Sequence, residues 1–222
     1  MTSLRRPSRP AFFILIFAVA VYSCTEQKIT TQSSGPSTID VSANSNTTSD
    51  IQILFDKTVG SPIDSQTAIR WIANLTNSKS STASGNYFIQ ASTLKEILSN
   101  NTCVGISFFY AINNSGQLLI IPIGINASGK IIVAQSITIQ SAAVSWQTAW
   151  QWISNYSGKV KSHFFGSETF NRLLIDQNSA SIRISLALDD SGNPQLLLSN
   201  AGLSDPTTYE DKSSPCPPVC PN

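Results

Sequence analysis

Little of the usual apparatus of catalysis is present in this chain. Its 222 residues contain one histidine, one methionine and four cysteines. A single histidine excludes an HExxH zinc motif. No GxSxG occurs, so the familiar hydrolase signatures are missing. Charge is scarce too: Lys, Arg, Asp and Glu make up 12% of the chain, about half the fraction usual in soluble domains. A net charge of +1 gives no electrostatic reason to expect nucleic acid as a partner. Ser, Thr and Asn fill the polar positions instead, a composition that points to an extracytoplasmic protein. The length suffices to bury a real core in one domain or two small halves.

The N-terminus carries Arg5, Arg6 and Arg9 without an acid, then an uninterrupted apolar run from Ala11 to Val21. Eleven residues fall short of the roughly 20 that span a bilayer. A basic start, a short apolar stretch and small residues before a cleavage point make residues 1–23 a secretory signal peptide. The four residues Val21, Tyr22, Ser23 and Cys24 resemble the lipobox of bacterial lipoprotein precursors, with Tyr22 larger than that pattern's usual small residue. The resemblance covers the first 24 residues and implies lipidation of Cys24, which becomes the mature N-terminus. It also implies a bacterial cell-envelope location with the membrane as a partner through the lipid. Thr25 in place of the retaining Asp favours the outer membrane, on its periplasmic or surface face. Several acyl chains anchor a protein stably where one does not.

Loss of three arginines on cleavage leaves eleven basic against thirteen acidic residues. Residues 24–50 follow as a tether: Thr30 to Asp50 has no aromatic residue and three apolar side chains, too few to offset chain entropy. Beyond it the sequence repeats. TAIRWIAN at 67–74 matches TAWQWISN at 148–155, 81 residues on. At a shift of 76, NYFIQASTLKEIL (86–98) lies over residues 162–174 and GISFFYAINNSGQ (105–117) over SIRISLALDDSGN (181–193).

Each unit reads as helix, short strand, helix and β-hairpin. The first block spaces its apolar residues as one helical face. The second has a short aromatic run, Ser92 or Ser167 as N-cap, then a second amphipathic helix. The third alternates with period two and turns at NNSG or DDSG, where a glycine at positive φ suits a hairpin. Further strands are expected at 51–55 and 131–139. The fold class is α+β, a tandem duplication over 51–126 and 127–204 forming antiparallel sheet with helices packed on it. Residues 205–222, polar and then Pro-rich, read as a tail.

Candidate chemistry is thin. With Cys24 lipidated, Cys103, Cys216 and Cys220 remain, and three arrangements stay open: a small Cys216–Cys220 ring, a bridge from Cys103 to a tail cysteine, or free thiols. The CPPVC spacing is not the CxxC of redox proteins. His163 stands where the first unit has Tyr87, and Cys103 where the second has Ser179, which disfavours a shared zinc site. Ser92 and Lys95 satisfy SxxK without a KTG, a capping serine and a solvated lysine. Asp189 and Asp190 stand where the first unit has Asn113 and Asn114, so turn chemistry explains them without calcium. No cofactor or metal is expected. Trp71, Trp150 and Trp152 occupy core slots in this reading, whereas Trp146 replaces the polar Ser65 and is the candidate contact for a glycan, a peptide or an envelope protein. The expectation is a non-enzymatic, lipid-anchored binding or scaffolding protein. The alternatives are an envelope enzyme of unrecognised type or a thiol-redox protein using CPPVC.

Overall fold

A computed structural model describes residues 55–78, 85–134, 136–139, 142–204 and 206–222. The expected signal peptide, Cys24 and the expected tether lie outside the described residues. The fold is mixed α+β with antiparallel sheets. In chain order the elements are β1 (Ser61–Asp64), α1 (Ser65–Asn77), β2 (Asn86–Gln90), α2 (Ala91–Leu98), β3 (Cys103–Ile112) and β4 (Leu118–Asn126). They continue with β5 (Ser136–Ile139), β6 (Ala142–Ser145), α3 (Trp146–Asn155), β7 (Ser162–Gly166) and α4 (Ser167–Asn171), which runs into a π-helical turn (Arg172–Asp176). The last are β8 (Ser181–Leu188), β9 (Pro194–Asn200), β10 (Thr208–Asp211) and β11 (Ser214–Cys216).

Two sheets stack face to face. One has the order β1-β10-β9-β8-β2 and the other β11-β7-β3-β4, while β5 and β6 form a separate ribbon. Ile106, Phe108, Tyr110 and Phe165 of the second sheet meet Ile182, Ile184, Leu196 and Leu198 of the first, with Leu94 of α2 and Phe170 and Leu173 of the α4 region in the same core. On the far side of the second sheet, Phe109, Ala111, Ile121 and Phe164 pack with Ala149 of α3. On the far side of the first, Ala187, Leu197 and Tyr209 pack with Ala68 of α1. The layers therefore run helix, sheet, sheet, helix. This explains why β3 and β4 read as almost continuous apolar runs, since both their faces are covered.

The chain exchanges strands across its midpoint. β2 pairs with β8 along five residue pairs, and β7 pairs with β3 along five, so each short strand joins the hairpin from the other half. The helices follow suit, α1 lying on β8 and α3 on β3. The hairpins close alike. Asn113 Oδ1 accepts from Ser115 N and Gln117 N at 3.0 and 2.9 Å, and Asp189 Oδ1 accepts from Ser191 N and Asn193 N at 2.9 and 2.8 Å. Gly116 and Gly192 sit at φ +78° and +81°, the left-handed region where a Cβ costs energy. A third copy of this turn stands after β4, where Asn126 Oδ1 accepts from Ser128 N and Lys130 N, both at 2.9 Å.

Several expectations are corrected. The helices α2 and α4 are not capped by Ser92 and Ser167. They start directly off strands at Gln90 and Gly166 without a side-chain cap. Backbone carbonyls from other segments take their first amides instead: Ala91 N donates to Ala180 O and Glu168 N to Lys57 O, each at 3.0 Å, which satisfies donors that a cap would otherwise serve. Side-chain caps occur at α1 and α3, where Asp64 accepts from Thr67 N and Ser145 from Thr148 N. The strand expected over 131–139 is broken: Ile131 makes an isolated bridge with Ile125, Val133 is exposed, and only 136–139 is extended in the ribbon. Of the strand expected at 51–55, residues 51–54 lie outside the described residues. Phe55 is in no strand, its ring edge-on to Phe164 at 5.1 Å. The tail expected over 205–222 is not loose where it is described, because β10 pairs with β1 and β9 and β11 with β7.

Candidate functional site

Both outer helices approach their sheet through alanine. Ala68 and Ala149 are fully buried, and a small side chain there lets backbone and sheet come close. Three residues on, Trp71 and Trp152 lie half-buried on the same face. Trp152 Nε1 donates to Asn114 Oδ1 at 3.3 Å. Trp71 Nε1 lies against Asp190, whose carboxyl is held down to about 2, first by Arg70 and then by this indole, although no Trp71 hydrogen bond of normal geometry closes. Asn74 Nδ2 and Asn155 Nδ2 each donate to a hairpin carbonyl, of Leu188 and Ile112, at 3.2 Å. Trp150 was expected in the core and is 42% exposed, like Ile69 at 59%. One residue past the central alanine turns a helix by about 100°, which carries these two side chains off the buried face.

Trp146 begins α3 and stacks on Trp150, with ring centroids 5.6 Å apart and planes at 23°, a pair at helical i, i+4 spacing. Trp146 also forms one wall of a groove of about 330 Å³ whose other walls include Glu96 and Ile97 of α2, Pro122 of β4, and Ile132 and Thr138 from the segment after β4. A neighbouring hollow of about 230 Å³ shares Thr93, Pro122 and Thr138 and extends to β2. Pro122 has no amide to offer a neighbouring strand, which suits it to the outer strand of its sheet, and β5 stands beside β4 without joining the ladder.

The matching place in the other half is filled. Seventy-six residues on from Thr93, Glu96 and Pro122 stand Thr169, Arg172 and Leu198. Strand register sets Glu210, opposite Pro62 of β1, in the place of Thr138, opposite Ala143 of β6. There β10 meets β9 at Glu210 and Leu198. Arg172 grips the buried Glu210 carboxylate, Nη2 to Oε2 at 2.6 Å and Nε to Oε1 at 3.0 Å. Nη2 also donates to Gly60 O at 3.2 Å and Thr169 Oγ1 at 3.1 Å. This forked, charge-assisted contact closes one side of the molecule, and its counterpart stands open. Nothing in the sequence marked the pair, whose members are 38 residues apart.

The remaining candidates are placed as follows. Cys216 and Cys220 are joined in a disulfide, with Cα atoms 4.6 Å apart, and the Cys216–Pro217 and Pro217–Pro218 bonds are cis. Cys103 is a buried free thiol, pushed up in pKa by that burial, so no bridge links it to the tail. His163 is fully buried, with Nδ1 2.8 Å from Ser213 Oγ, Nε2 without a partner and its pKa lowered by desolvation to about 4. Among the described residues no three His, Cys, Asp or Glu side chains gather into a metal-binding group, and no helix is long and apolar enough to cross a membrane. No family model matches this chain, and no curated protein and no solved structure is significantly similar to it.

Proposed function

We propose that this is a lipid-anchored cell-envelope protein of non-enzymatic binding type, whose body is a tandem duplication and whose ligand site is the groove beside Trp146. One observation carries the site: equivalent places in the two halves are treated oppositely, one sealed by Arg172 and Glu210 and one left as a groove with an indole wall. A body maintained only for packing has no use for an unfilled cleft flanked by a stacked, partly exposed tryptophan pair, whereas ligand sites are concave and combine apolar walls with few polar groups. The duplication is supported by the twofold run of strand, helix, strand, helix and hairpin, and by the caps, turns and asparagine contacts that recur at fixed shifts. The envelope location rests on the Val21 to Cys24 tetrad and the Ser, Thr and Asn-rich composition.

Two measurements test this reading. Mass spectrometry of the protein isolated from membranes should find a mature chain beginning at acylated Cys24; an unmodified N-terminus elsewhere removes the anchor. Tryptophan fluorescence during a screen of envelope glycans and peptides should report a ligand whose signal is lost in Trp146→Ala. A ligand whose binding survives that substitution unchanged would place the site elsewhere.

A further inference from the structure

We infer that the groove accepts a guanidinium or ammonium group, the side chain of an arginine or lysine in a partner polypeptide, with Glu96 as its counter-charge and Trp146 as its stacking face. This rests on the binding reading above and names the ligand class. The charges at the two equivalent places carry the argument. In the sealed half the helix contributes a cation, Arg172, and the strand an anion, Glu210, so the place is neutral and self-satisfied. In the open half the helix contributes an anion, Glu96, and the strand a neutral hydroxyl, Thr138. The groove is thus left with one carboxylate and no lysine or arginine on its walls. The two ion pairs among the described residues, Arg70–Asp190 and Arg172–Glu210, leave Glu96 without a cation.

The rest of the lining suits the same guest. An indole face attracts a cation through its quadrupole, and the effect grows as water is excluded. Ile97, Ile132 and Ile137 offer apolar surface to the methylene stem that arginine and lysine carry behind the charged head. Thr93 and Thr138 line the same walls, and their hydroxyls can accept from the remaining N–H groups. A neutral sugar could use the indole and donate hydroxyls to Glu96, but it brings no charge to pair with the carboxylate.

The test titrates the intact mature protein, in detergent, with a capped Gly-Arg-Gly tripeptide, its isosteric citrulline analogue and a chito-oligosaccharide, read by tryptophan fluorescence. The arginine peptide should bind about tenfold more tightly than the citrulline peptide. Glu96→Gln should erase that preference, and Trp146→Ala should abolish the signal. Since Glu96 is exposed, its conversion to Gln leaves the fold in place, to be verified by an unchanged urea midpoint. Equal binding of the arginine and citrulline peptides, or of wild type and Glu96→Gln, would overturn charge recognition while leaving the groove as a binding site. Binding of the oligosaccharide alone, lost in Trp146→Ala, would do the same. If no probe produces a Trp146-dependent change, the cation inference falls and the site reading falls with it.

Discussion

The two halves of the molecule share their order of elements and differ at one place in how they close. In the half completed by β10, that strand lies between β1 and β9 and is pinned by Arg172 and Glu210. In the half completed by β5, the strand stands off from β4 at Pro122, and the room left over is the groove. Everything needed to frame the fold recurs: alanine beneath each helix, tryptophan one turn later, an Asn or Asp holding each hairpin turn. The divergence lies in whether the added strand joins its neighbour, β10 to β9 or β5 beside β4. Where two halves keep the same order of elements, the position at which one lacks a contact that stabilises the other is where function is best sought.

Breaking the sealed side should show the largest effect. Arg172→Met leaves the Glu210 carboxylate buried and alone. We expect a loss of about 3 kcal/mol, the low end for a buried pair because the guanidinium is partly wet; Glu96→Gln at the matching place should stay within about 0.5 kcal/mol. Urea denaturation of both variants measures the contrast, and equal losses would erase it. The second test is acid. His163 is buried neutral with a pKa of about 4, whereas the unfolded chain takes up that proton near 6.5. Its contribution is therefore complete above pH 6.5 and lost progressively as pH falls to about 4, some 3 kcal/mol in all. His163→Phe should flatten the stability profile across that window, while Tyr87→Phe, at the matching position, should leave its shape unchanged.

The third pair of substitutions tests sameness. Ala68→Leu and Ala149→Leu both force bulk between a helix and its sheet, and each should cost about 1–3 kcal/mol by thermal or urea melts. A harmless leucine at one of them would show that the two helices pack differently. The smallest effect is expected at the exposed Arg70–Asp190 pair. Asp190→Asn installs the residue that the other hairpin carries as Asn114, and exposed ion pairs contribute little. The urea midpoint should not move measurably.

What the sequence made legible was local. The α+β class, the positions of the two hairpins with their glycines, and the helical blocks all follow from period and turn chemistry, which act over a few residues. The exchange of β2 and β7 between hairpins was not legible, because alternation says which face of a strand is apolar and nothing about its neighbour. Trp150 was misplaced because a helix resting on alanine has a narrow contact stripe, and the stripe's centre is set by the sheet. The C-terminal segment looked like a tail because Glu210 and Asp211 are polar letters. The burial of Glu210 is matched by a guanidinium brought from Arg172, and linear order hides that. Trp146 was picked out for standing where the other unit has serine, and its place on the groove wall came only with the fold.

The strand exchange also bears on when this chain can fold at all. Neither sheet is assembled from one continuous stretch: β3 and β4 wait for β7, and β2 waits for β8. β10 and β11, within the last fifteen residues, then close the two sheets. A chain emerging from a ribosome or a translocon has no half that can be finished early. It stays open until nearly its whole length is available, and long-range pairings of this kind form slowly. A chain stopped short of residue 208 would lose an edge from both sheets at once. One nicked between 127 and 135 would still be held as two entwined fragments, each carrying strands that the other's sheet requires.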